Sequence, residues 1–163
     1  MIETCVRGRL RLDIHWEEEQ LQRIDLSWSS AEPEDKNLTA PGRMLALALD
    51  RFVRGEDPLW PKLPLAWDRR SPFARRVLST LQETVPRGMT VSYGELARRC
   101  NAPGAARAVG AVMRANPWPL IVPCHRVIGS SGRLVGFGSG LGMKKYLLGL
   151  ERVRTGQIRP SRR

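Results

Sequence analysis

Apolar and polar residues alternate along two stretches near the beginning of the chain. The apolar positions are Leu10, Leu12, Ile14 and Trp16 in the first stretch, and Ile24, Leu26 and Trp28 in the second. A period of two places these side chains on one face of a strand. The pattern therefore predicts an antiparallel hairpin with one buried face, connected by the acidic residues 17–19.

Apolar positions with helical spacing predict two helices in the middle of the chain. The first runs from about Pro41 to about Arg54, with Gly55 as its stop. The second follows Ser71 as its N-cap, has proline at its first position and ends before Pro86. Prolines between positions 58 and 72 exclude continuous helix there. We therefore predict an N-terminal domain over 1–70 and a second domain over 71–163.

Residues 90–116 have the pattern of a helix–turn–helix. Ser92 and Glu95 form a Ser-x-x-Glu capping box for a first helix, and residues 101–104 form a turn. A second helix is predicted from about Ala105 to about Ala115. Its packing side is predicted to comprise Ala105, Ala108, Val109 and Val112, and its exposed side Arg107, Gly110, Ala111 and Arg114.

The exposed side of the second helix combines small and basic residues. A helix that reads the major groove usually presents several long polar side chains. A small surface instead allows close approach of the backbone, as a narrow minor groove or an unstacked site requires. The alternative is an ordinary alanine-rich helix with two surface arginines, Arg107 and Arg114.

The charge of the chain is concentrated in its second part. Residues 1–70 hold 11 basic and 13 acidic residues, a net of −2, whereas residues 71–163 hold 16 basic and 3 acidic residues, a net of +13. A strongly basic half favours nucleic acid as a partner, because binding releases counterions from the phosphates. A solubilising charge or a basic tail over 152–163 is the alternative.

Three distant cysteines, Cys5, Cys100 and Cys124, are not the pattern of a disulfide framework and fit a reducing compartment. The chain has two histidines and no Cys-x-x-Cys pair, so we expect no metal site. No apolar stretch approaches the roughly 20 residues that span a bilayer, and the start has no signal-peptide core. We expect a cytoplasmic protein that does not enter a membrane.

One cysteine lies beside a histidine in the string Pro123-Cys124-His125-Arg126-Val127. The apolar run over 120–122 should be buried and lead directly to the thiol. A neighbouring base can activate a thiol, because the thiolate is the attacking species. A generic buried cysteine with a surface histidine is the alternative on this string alone.

Together these strings resemble the 6-O-alkylguanine-DNA alkyltransferase family, also called methylated-DNA–protein-cysteine methyltransferases. The matching strings are Ser92-Tyr93-Gly94-Glu95-Leu96-Ala97, Ala106-Arg107-Ala108-Val109-Gly110, Asn116-Pro117, Pro123-Cys124-His125-Arg126-Val127 and Leu147-Leu148-Gly149-Leu150-Glu151. The resemblance covers roughly residues 71–151. The N-terminal part resembles the family only in its strand and helix layout.

The resemblance implies a mixed α/β (α+β) fold. A small N-terminal antiparallel sheet with a helix, RNase H-like, would precede a mainly helical domain with a winged-helix-like helix–turn–helix. The implied activity is direct reversal of DNA damage, by a single irreversible transfer of an alkyl group from 6-O-alkylguanine, or from 4-O-alkylthymine, to Cys124. The implied partner is damaged double-stranded DNA, and we expect a monomer and no cofactor.

The resemblance also implies residue roles. Cys124 would be the nucleophile, His125 a base acting through water, Glu151 the group that orients His125, and Asn116 a brace for the active-site segment. The implied DNA-binding residues are Tyr93, Arg107, Gly110, Arg114 and Ser130, with base flipping through the minor groove. The implied base pocket comprises Val127, Phe137 and Ser139.

Two positions depart from the family pattern. Phe137 stands where family members often have tyrosine, so a hydrogen-bond donor to the leaving guanine is missing there. Ala102 stands where asparagine is frequent. The alternatives to alkyl transfer are a non-catalytic binder of alkylated DNA, a helix–turn–helix regulator that senses damage through Cys124, and a cysteine hydrolase.

Overall fold

The computed structural model describes residues 1–30 and 34–152 of the chain. The chain forms two compact units, of which the first is Met1–Trp67 and the second begins at Asp68. The first unit contains strands β1 (Ile2–Arg7), β2 (Leu10–Glu17) and β3 (Gln20–Trp28), followed by helix α1 (Ala40–Val53). Its strands form one antiparallel sheet in the order β1-β2-β3. The predicted antiparallel sheet with a helix is thus confirmed.

The alternating residues form the buried face of the sheet, as their period requires. Leu10, Leu12 and Ile14 on β2 are at most 1% exposed, whereas Trp28 at the end of β3 is 38% exposed. The prediction was therefore wrong for Trp28. It also omitted β1, whose inward positions include a carboxylate, Glu3, which breaks the apolar alternation.

The buried carboxylate of Glu3 stabilises the start of α1. It accepts hydrogen bonds from Trp16 Nε1 at 2.7 Å and from the hydroxyl and backbone N–H of Thr39. Thr39 is the N-cap of α1, and its hydroxyl accepts from the N–H of Gly42 at 3.2 Å. Because the first turn of α1 has no acidic residue, Glu3 brings from β1 the negative charge that a helix N-terminus favours.

The second unit is mainly helical. Its helices are α2 (Pro72–Thr84), α3 (Tyr93–Arg99), α4 (Ala106–Arg114) and α5 (Leu141–Leu150). Two short strands, β4 (Val91–Ser92) and β5 (Val127–Ile128), pair in parallel. Short 3₁₀ turns span Trp67–Arg69 and Cys124–Arg126.

The helix starts follow the capping residues of the sequence. Ser71 caps α2 by accepting from the N–H of Ala74, and Ser92 caps α3 by accepting from the N–H of Glu95 at 3.1 Å. The carboxylate of Glu95 does not complete the predicted box, because it pairs with Arg98 and Arg99 one turn further along α3.

Helices α3 and α4 form the two arms of the predicted helix–turn–helix. Between them Asn101 has a φ of +55° and Gly104 a φ of +83°, the left-handed conformations that a tight turn uses. The buried residues of α4 are Val109 and Met113, and Ala108 is exposed. The prediction that Ala108 packs inward was wrong, because the helix is rotated toward Met113.

Among the described residues, no helix combines the length and apolar character needed to cross a membrane. The predicted basic tail over 152–163 lies outside the described residues except for Arg152.

Candidate active site

The backbone before Cys124 makes a tight turn that delivers the thiol. Pro123 has φ −79° and ψ 64°, and the N–H of Cys124 donates to the carbonyl of Val122 at 2.8 Å. The N–H of Arg126 donates to the carbonyl of Pro123 at 2.9 Å and forms the 3₁₀ turn. The buried run over 120–122 was predicted correctly, and Cys124 at its end is 6% exposed.

Asn116 holds this segment from the end of the helix–turn–helix. Its Nδ2 donates to the carbonyl of Val122 at 3.0 Å, and its Oδ1 accepts from the N–H of Trp118 at 3.0 Å. The nitrogen and the oxygen of the side-chain amide thus both hold the backbone, on either side of a turn. The Val122 carbonyl also receives the N–H of Cys124, so Asn116 and Cys124 share an acceptor.

Burial raises the pKa of the Cys124 thiol. The hydrogen bond from Asn116, the positive charge of Lys144 and backbone hydrogen bonds act in the opposite direction without cancelling the effect of burial. Cys124 is consequently a neutral thiol in the resting protein, and its use as a nucleophile requires a base.

His125, Glu151 and Arg126 form a buried polar cluster next to that thiol. His125 Nε2 lies 2.9 Å from Glu151 Oε1, and the side chain of Glu151 is 0% exposed. Arg126 donates to Glu151 through Nη2 at 2.7 Å and through Nε at 3.0 and 3.2 Å, and its Nη1 donates to the carbonyl of Val85 at 2.7 Å.

The cluster sets distinct charge states for its members. Burial by itself raises the pKa of Glu151, but the hydrogen bonds from His125 and Arg126 and the positive charge of Arg126 outweigh it and lower the pKa to about 2. Burial lowers the pKa of His125, and the Glu151 carboxylate only partly opposes that shift. Glu151 is therefore an anion and His125 a neutral imidazole. With Nε2 hydrogen-bonded to Glu151, Nδ1 is the nitrogen that carries the basic lone pair.

The thiol opens into a cavity of about 410 Å³. Its lining residues are Gly110, Met113, Arg114, Cys124, Val135, Gly136, Phe137 and Gly138. The first unit contains a larger cavity of about 750 Å³ near Trp16 and residues 17–19, which includes none of the predicted catalytic residues. The smaller cavity is the candidate site, because its lining includes the Cys124 thiol, whose neighbour in sequence is the buried His125.

The wall of the cavity opposite α4 is the glycine-rich loop over 129–140. Tyr93, from α3, donates its hydroxyl to the carbonyl of Val135 at 3.0 Å. The Lys144 ammonium, from α5, donates to the carbonyls of Val135 at 2.9 Å and Gly136 at 3.2 Å. Two side chains from different helices therefore hold this wall.

Helix α4 presents its basic and small side to the surface beside the cavity. Arg107 and Arg114 are exposed, and Gly110 is half-buried. A Cβ atom added at Gly110 would lie 3.9 Å from the ring of Tyr93, an ordinary contact distance. The free protein would thus accept alanine at this position.

Three comparisons with known proteins show which family the chain is similar to. A family model described as 6-O-methylguanine DNA methyltransferase, DNA binding domain, matches residues 72–153. A methylated-DNA–protein-cysteine methyltransferase of Shigella flexneri is 39% identical over 143 residues, covering 86% of this chain and 81% of that protein. The crystal structure of Mycobacterium tuberculosis OGT in complex with DNA has a TM-score of 0.75 at 34% identity, covering 98% of this chain and 95% of that chain.

The chain belongs to the methylated-DNA–protein-cysteine methyltransferase family. A relative of that name from Mycolicibacterium paratuberculosis is 58% identical over 84 residues, and one from Mycobacterium bovis is 54% identical over 86 residues. These two matches span about half of the relatives' length, 50% and 52% respectively. The predicted family resemblance and the mixed fold of helices with a small antiparallel sheet are confirmed.

The structure of this methyltransferase family member brings most of the predicted site residues together. Asn116 and Cys124 share the Val122 carbonyl as acceptor, and His125 is hydrogen-bonded to Glu151. Phe137, Gly110 and Arg114 line the cavity with Cys124. Other predicted residues lie outside the lining. These are Tyr93 on α3, Arg107, exposed on α4, Val127, buried in β5, Ser139, half-buried in the loop, and Ser130, exposed after β5.

Sequence reasoning missed two buried cations of the site, Arg126 and Lys144. Arg126 belongs to the Pro-Cys-His-Arg-Val string, but that string does not indicate that its guanidinium is buried. Lys144 did leave a signal, because Lys144, Leu148 and Glu151 have the i, i+4, i+7 spacing of one helix face. The structure buries all three.

The described part of the chain contains no group of three or more metal-binding side chains. The side chains with polar groups that line the cavity are Cys124 and Arg114.

Proposed function

We propose that this protein repairs DNA by direct reversal, transferring the alkyl group of 6-O-alkylguanine irreversibly to Cys124. The observation that carries the proposal is a buried thiol at the wall of a cavity, adjacent in sequence to a neutral histidine that is hydrogen-bonded to an anionic glutamate. The names of the relatives from Mycolicibacterium paratuberculosis and Shigella flexneri state the same activity.

The charge states suggest the order of proton movements. His125 takes the thiol proton of Cys124 through a bridging water, and Glu151 stabilises the imidazolium that forms. The thiolate sulfur attacks the alkyl carbon, the bond between that carbon and the guanine 6-oxygen breaks, and a thioether forms. The departing guanine receives the proton that His125 accepted. Because the thioether is stable, each molecule reacts once. We expect no cofactor in this reaction.

A base inside a duplex cannot reach a buried thiol, so the proposal includes base flipping. Arg107 would fill the space that the flipped base leaves, and the small surface around Gly110 would allow α4 to approach the minor groove. Tyr93 would contact the backbone of the flipped nucleotide, for which its hydroxyl would exchange the carbonyl of Val135 for a phosphate oxygen. Arg114 and Ser130 would add contacts to the DNA.

Phe137 lines the cavity and would cover the base there, whereas Val127 and Ser139 lie outside the cavity lining and their contact with the base stays a prediction. A phenylalanine can stack on guanine but cannot donate to the 6-oxygen. Any donor to that oxygen would be a backbone N–H of the glycine-rich loop, whose residues Gly136 and Gly138 line the cavity.

Finer features of the fold and setting are part of the proposal as well. The antiparallel sheet followed by α1 supports an RNase H-like first domain, and the pair α3–α4 with β4 and β5 supports a winged-helix-like second domain. The domain limits 1–70 and 71–163, the monomeric state, the cytoplasmic location and repair of 4-O-alkylthymine stay predictions.

The test compares duplex oligonucleotides with free base. Wild-type protein should convert 6-O-methylguanine in a duplex to guanine, measured by chromatography of the digested DNA, and Cys124→Ser should not.

Arg107→Ala should slow repair of the duplex much more than reaction with free 6-O-benzylguanine, because only the duplex requires flipping. Arg98→Ala, which removes an exposed arginine of α3, is the control for lost charge. Equal effects of Arg107→Ala on duplex and free base would contradict the role of Arg107.

If Cys124→Ser and wild type bind the lesion equally and neither removes the methyl group, the protein is a non-catalytic damage binder. A footprint at a specific undamaged sequence would favour the regulator, and cleavage of esters or peptides would favour the hydrolase.

A further inference from the structure

Glu151, whose carboxylate is hydrogen-bonded to His125, lies at the end of a helix. It is the C-cap of α5, and the N–H of Arg152 after it donates to the carbonyl of Gly149 at 3.0 Å. The last carbonyls of a helix have no donor within the helix, and helix ends fray. A carboxylate that keeps its place against an imidazole therefore requires contacts that fix this end of α5.

The turn over 85–89 supplies such contacts from a distant part of the chain. The carbonyl of Val85 accepts a hydrogen bond from Arg126 Nη1 at 2.7 Å, and Arg126 in turn donates to the Glu151 carboxylate. Two residues after Val85, Arg87 Nη2 donates to the carbonyl of Leu150, the last residue of α5, at 3.2 Å. The turn thus supports Glu151 at its side chain and at the backbone before it.

The local geometry of the turn places Arg87 against α5. The N–H of Met89 donates to the carbonyl of Pro86 at 3.1 Å and closes the turn, in which Gly88 has a φ of +80°. A Cβ atom added at Gly88 would lie 3.7 Å from the carbonyl oxygen of Glu151, so the turn packs directly against the end of α5. The half-buried Arg87 also brings a positive charge to a helix C-terminus, where a cation is favourable.

We propose that Arg87 is a positioning residue: by holding the C-terminal end of α5, it keeps the Glu151 carboxylate against His125 Nε2. In the reaction proposed above it would act only through Glu151 and His125. The purpose of the arrangement rests on the proposed function, but the arrangement itself can be measured without DNA.

Loss of Arg87 should weaken the hydrogen bond between His125 and Glu151. That bond keeps the imidazole proton on Nε2 and leaves Nδ1 basic. When the end of α5 is released, the proton divides between the two ring nitrogens. Nδ1 is then protonated, and no longer a base, in part of the molecules.

The test reads the tautomer of His125 by ¹⁵N NMR of histidine-labelled protein at about pH 8, above the ordinary histidine pKa. The chain has two histidines, so His15→Gln assigns the signals. Arg87→Met removes the charge and the donors but keeps a long side chain, and Arg87→Lys restores both. Lys145→Met removes an exposed cation from the middle of α5 and is the matched control.

We expect wild type to have the proton on Nε2 and Arg87→Met to show both tautomers. The amides of Glu151 and Arg152, which donate to Leu147 and Gly149, should exchange faster with solvent. Transfer from 6-O-methylguanine in a duplex should slow by roughly three- to tenfold. Arg87→Lys should recover most of that rate, and Lys145→Met should match wild type in all three measurements. If Arg87→Met does not fold, Arg87→Gln, which removes the charge and shortens the side chain, replaces it.

An unchanged His125 tautomer in Arg87→Met would overturn the inference. Faster amide exchange without a change of tautomer would mean that Arg87 only stabilises the helix end, and would overturn it as well. A wild-type protein that removes no methyl group from DNA, while Arg87→Met shifts the tautomer as expected, would contradict the proposed function and leave the inference intact.

Discussion

Replacing Glu151 by glutamine would leave Arg126 as a buried cation without the carboxylate that now neutralises it. Three hydrogen-bond distances of 2.7 to 3.2 Å join the two side chains, and Glu151 Oε1 also lies 2.9 Å from His125 Nε2. The side chain of Glu151 is 0% exposed and that of Arg126 is 9% exposed, so water cannot take over these contacts.

Two independent routes give the size of the effect. Breaking a buried ion pair by removing one partner usually costs about 3–5 kcal/mol. The pKa of Glu151 falls from 4.5 to about 2, and at about 1.4 kcal/mol per unit this corresponds to about 3 kcal/mol. The folded-state pKa is depressed, so this stabilisation is fully present above about pH 4.5 and is lost as the pH falls toward about 2.

The assay is urea unfolding at neutral pH, followed by hydrogen exchange of peptides from residues 120–150. With a slope of about 1–3 kcal/mol per molar urea, a loss of about 3 kcal/mol lowers the midpoint by roughly 1–3 M. Glu95→Gln is the control, because Glu95 also pairs with two arginines, Arg98 and Arg99, but on the helix surface. Such pairs contribute only about 0.3–0.5 kcal/mol each.

Unfolding of Glu151→Gln at the same urea concentration as Glu95→Gln would refute the reasoning. The buried cluster would then contribute no more than a surface pair. The same variant should transfer methyl groups more slowly, by up to about 10²–10⁴-fold, the usual contribution of general acid–base catalysis.

Three further substitutions give separate tests. Gly110→Ala should stabilise the free protein by about 0.5–1 kcal/mol in thermal unfolding, because alanine is the better helix former. The same variant should bind damaged duplex more weakly, and unchanged DNA binding would contradict the close approach of α4. Gly42→Ala should destabilise the first unit by about 1–3 kcal/mol in urea unfolding, because its Cβ would lie 2.6 Å from the Glu3 carboxylate, which Trp16 and Thr39 hold by hydrogen bonds. An unchanged unfolding midpoint would mean that Glu3 is free to move. Asn116→Ala should cost about 1–3 kcal/mol and slow alkyl transfer, since the carbonyl of Val122 loses a donor; wild-type transfer rates would contradict the bracing role.

The elements with regular periodicity were predictable from sequence. Helix α1 begins at Ala40 and α2 at Pro72, each within one residue of the prediction, because proline and a hydroxyl N-cap mark their starts. Strand β2 followed from strict alternation. Strand β1 did not, since buried Glu3 is satisfied by hydrogen bonds from Trp16 and Thr39, which are distant in sequence.

The same physical reason limits prediction of the site. Cys124 and His125 are adjacent in sequence and were found from a short string. Arg126 and Lys144 are buried because partners from other elements, Glu151 and the carbonyl of Val135, satisfy their charges. A sequence pattern treats such charges as exposed, because it contains no information on the contacts that compensate burial.

The measurement that tests the central claim most directly is mass spectrometry of the intact protein and its peptides after mixing with an oligonucleotide that contains 6-O-methylguanine. We predict a gain of one methylene mass per protein molecule, located on the Cys124 peptide and saturating at one equivalent, with Cys5 and Cys100 unmodified. No adduct on Cys124 despite binding to the lesion, or an adduct on another residue, would contradict the account.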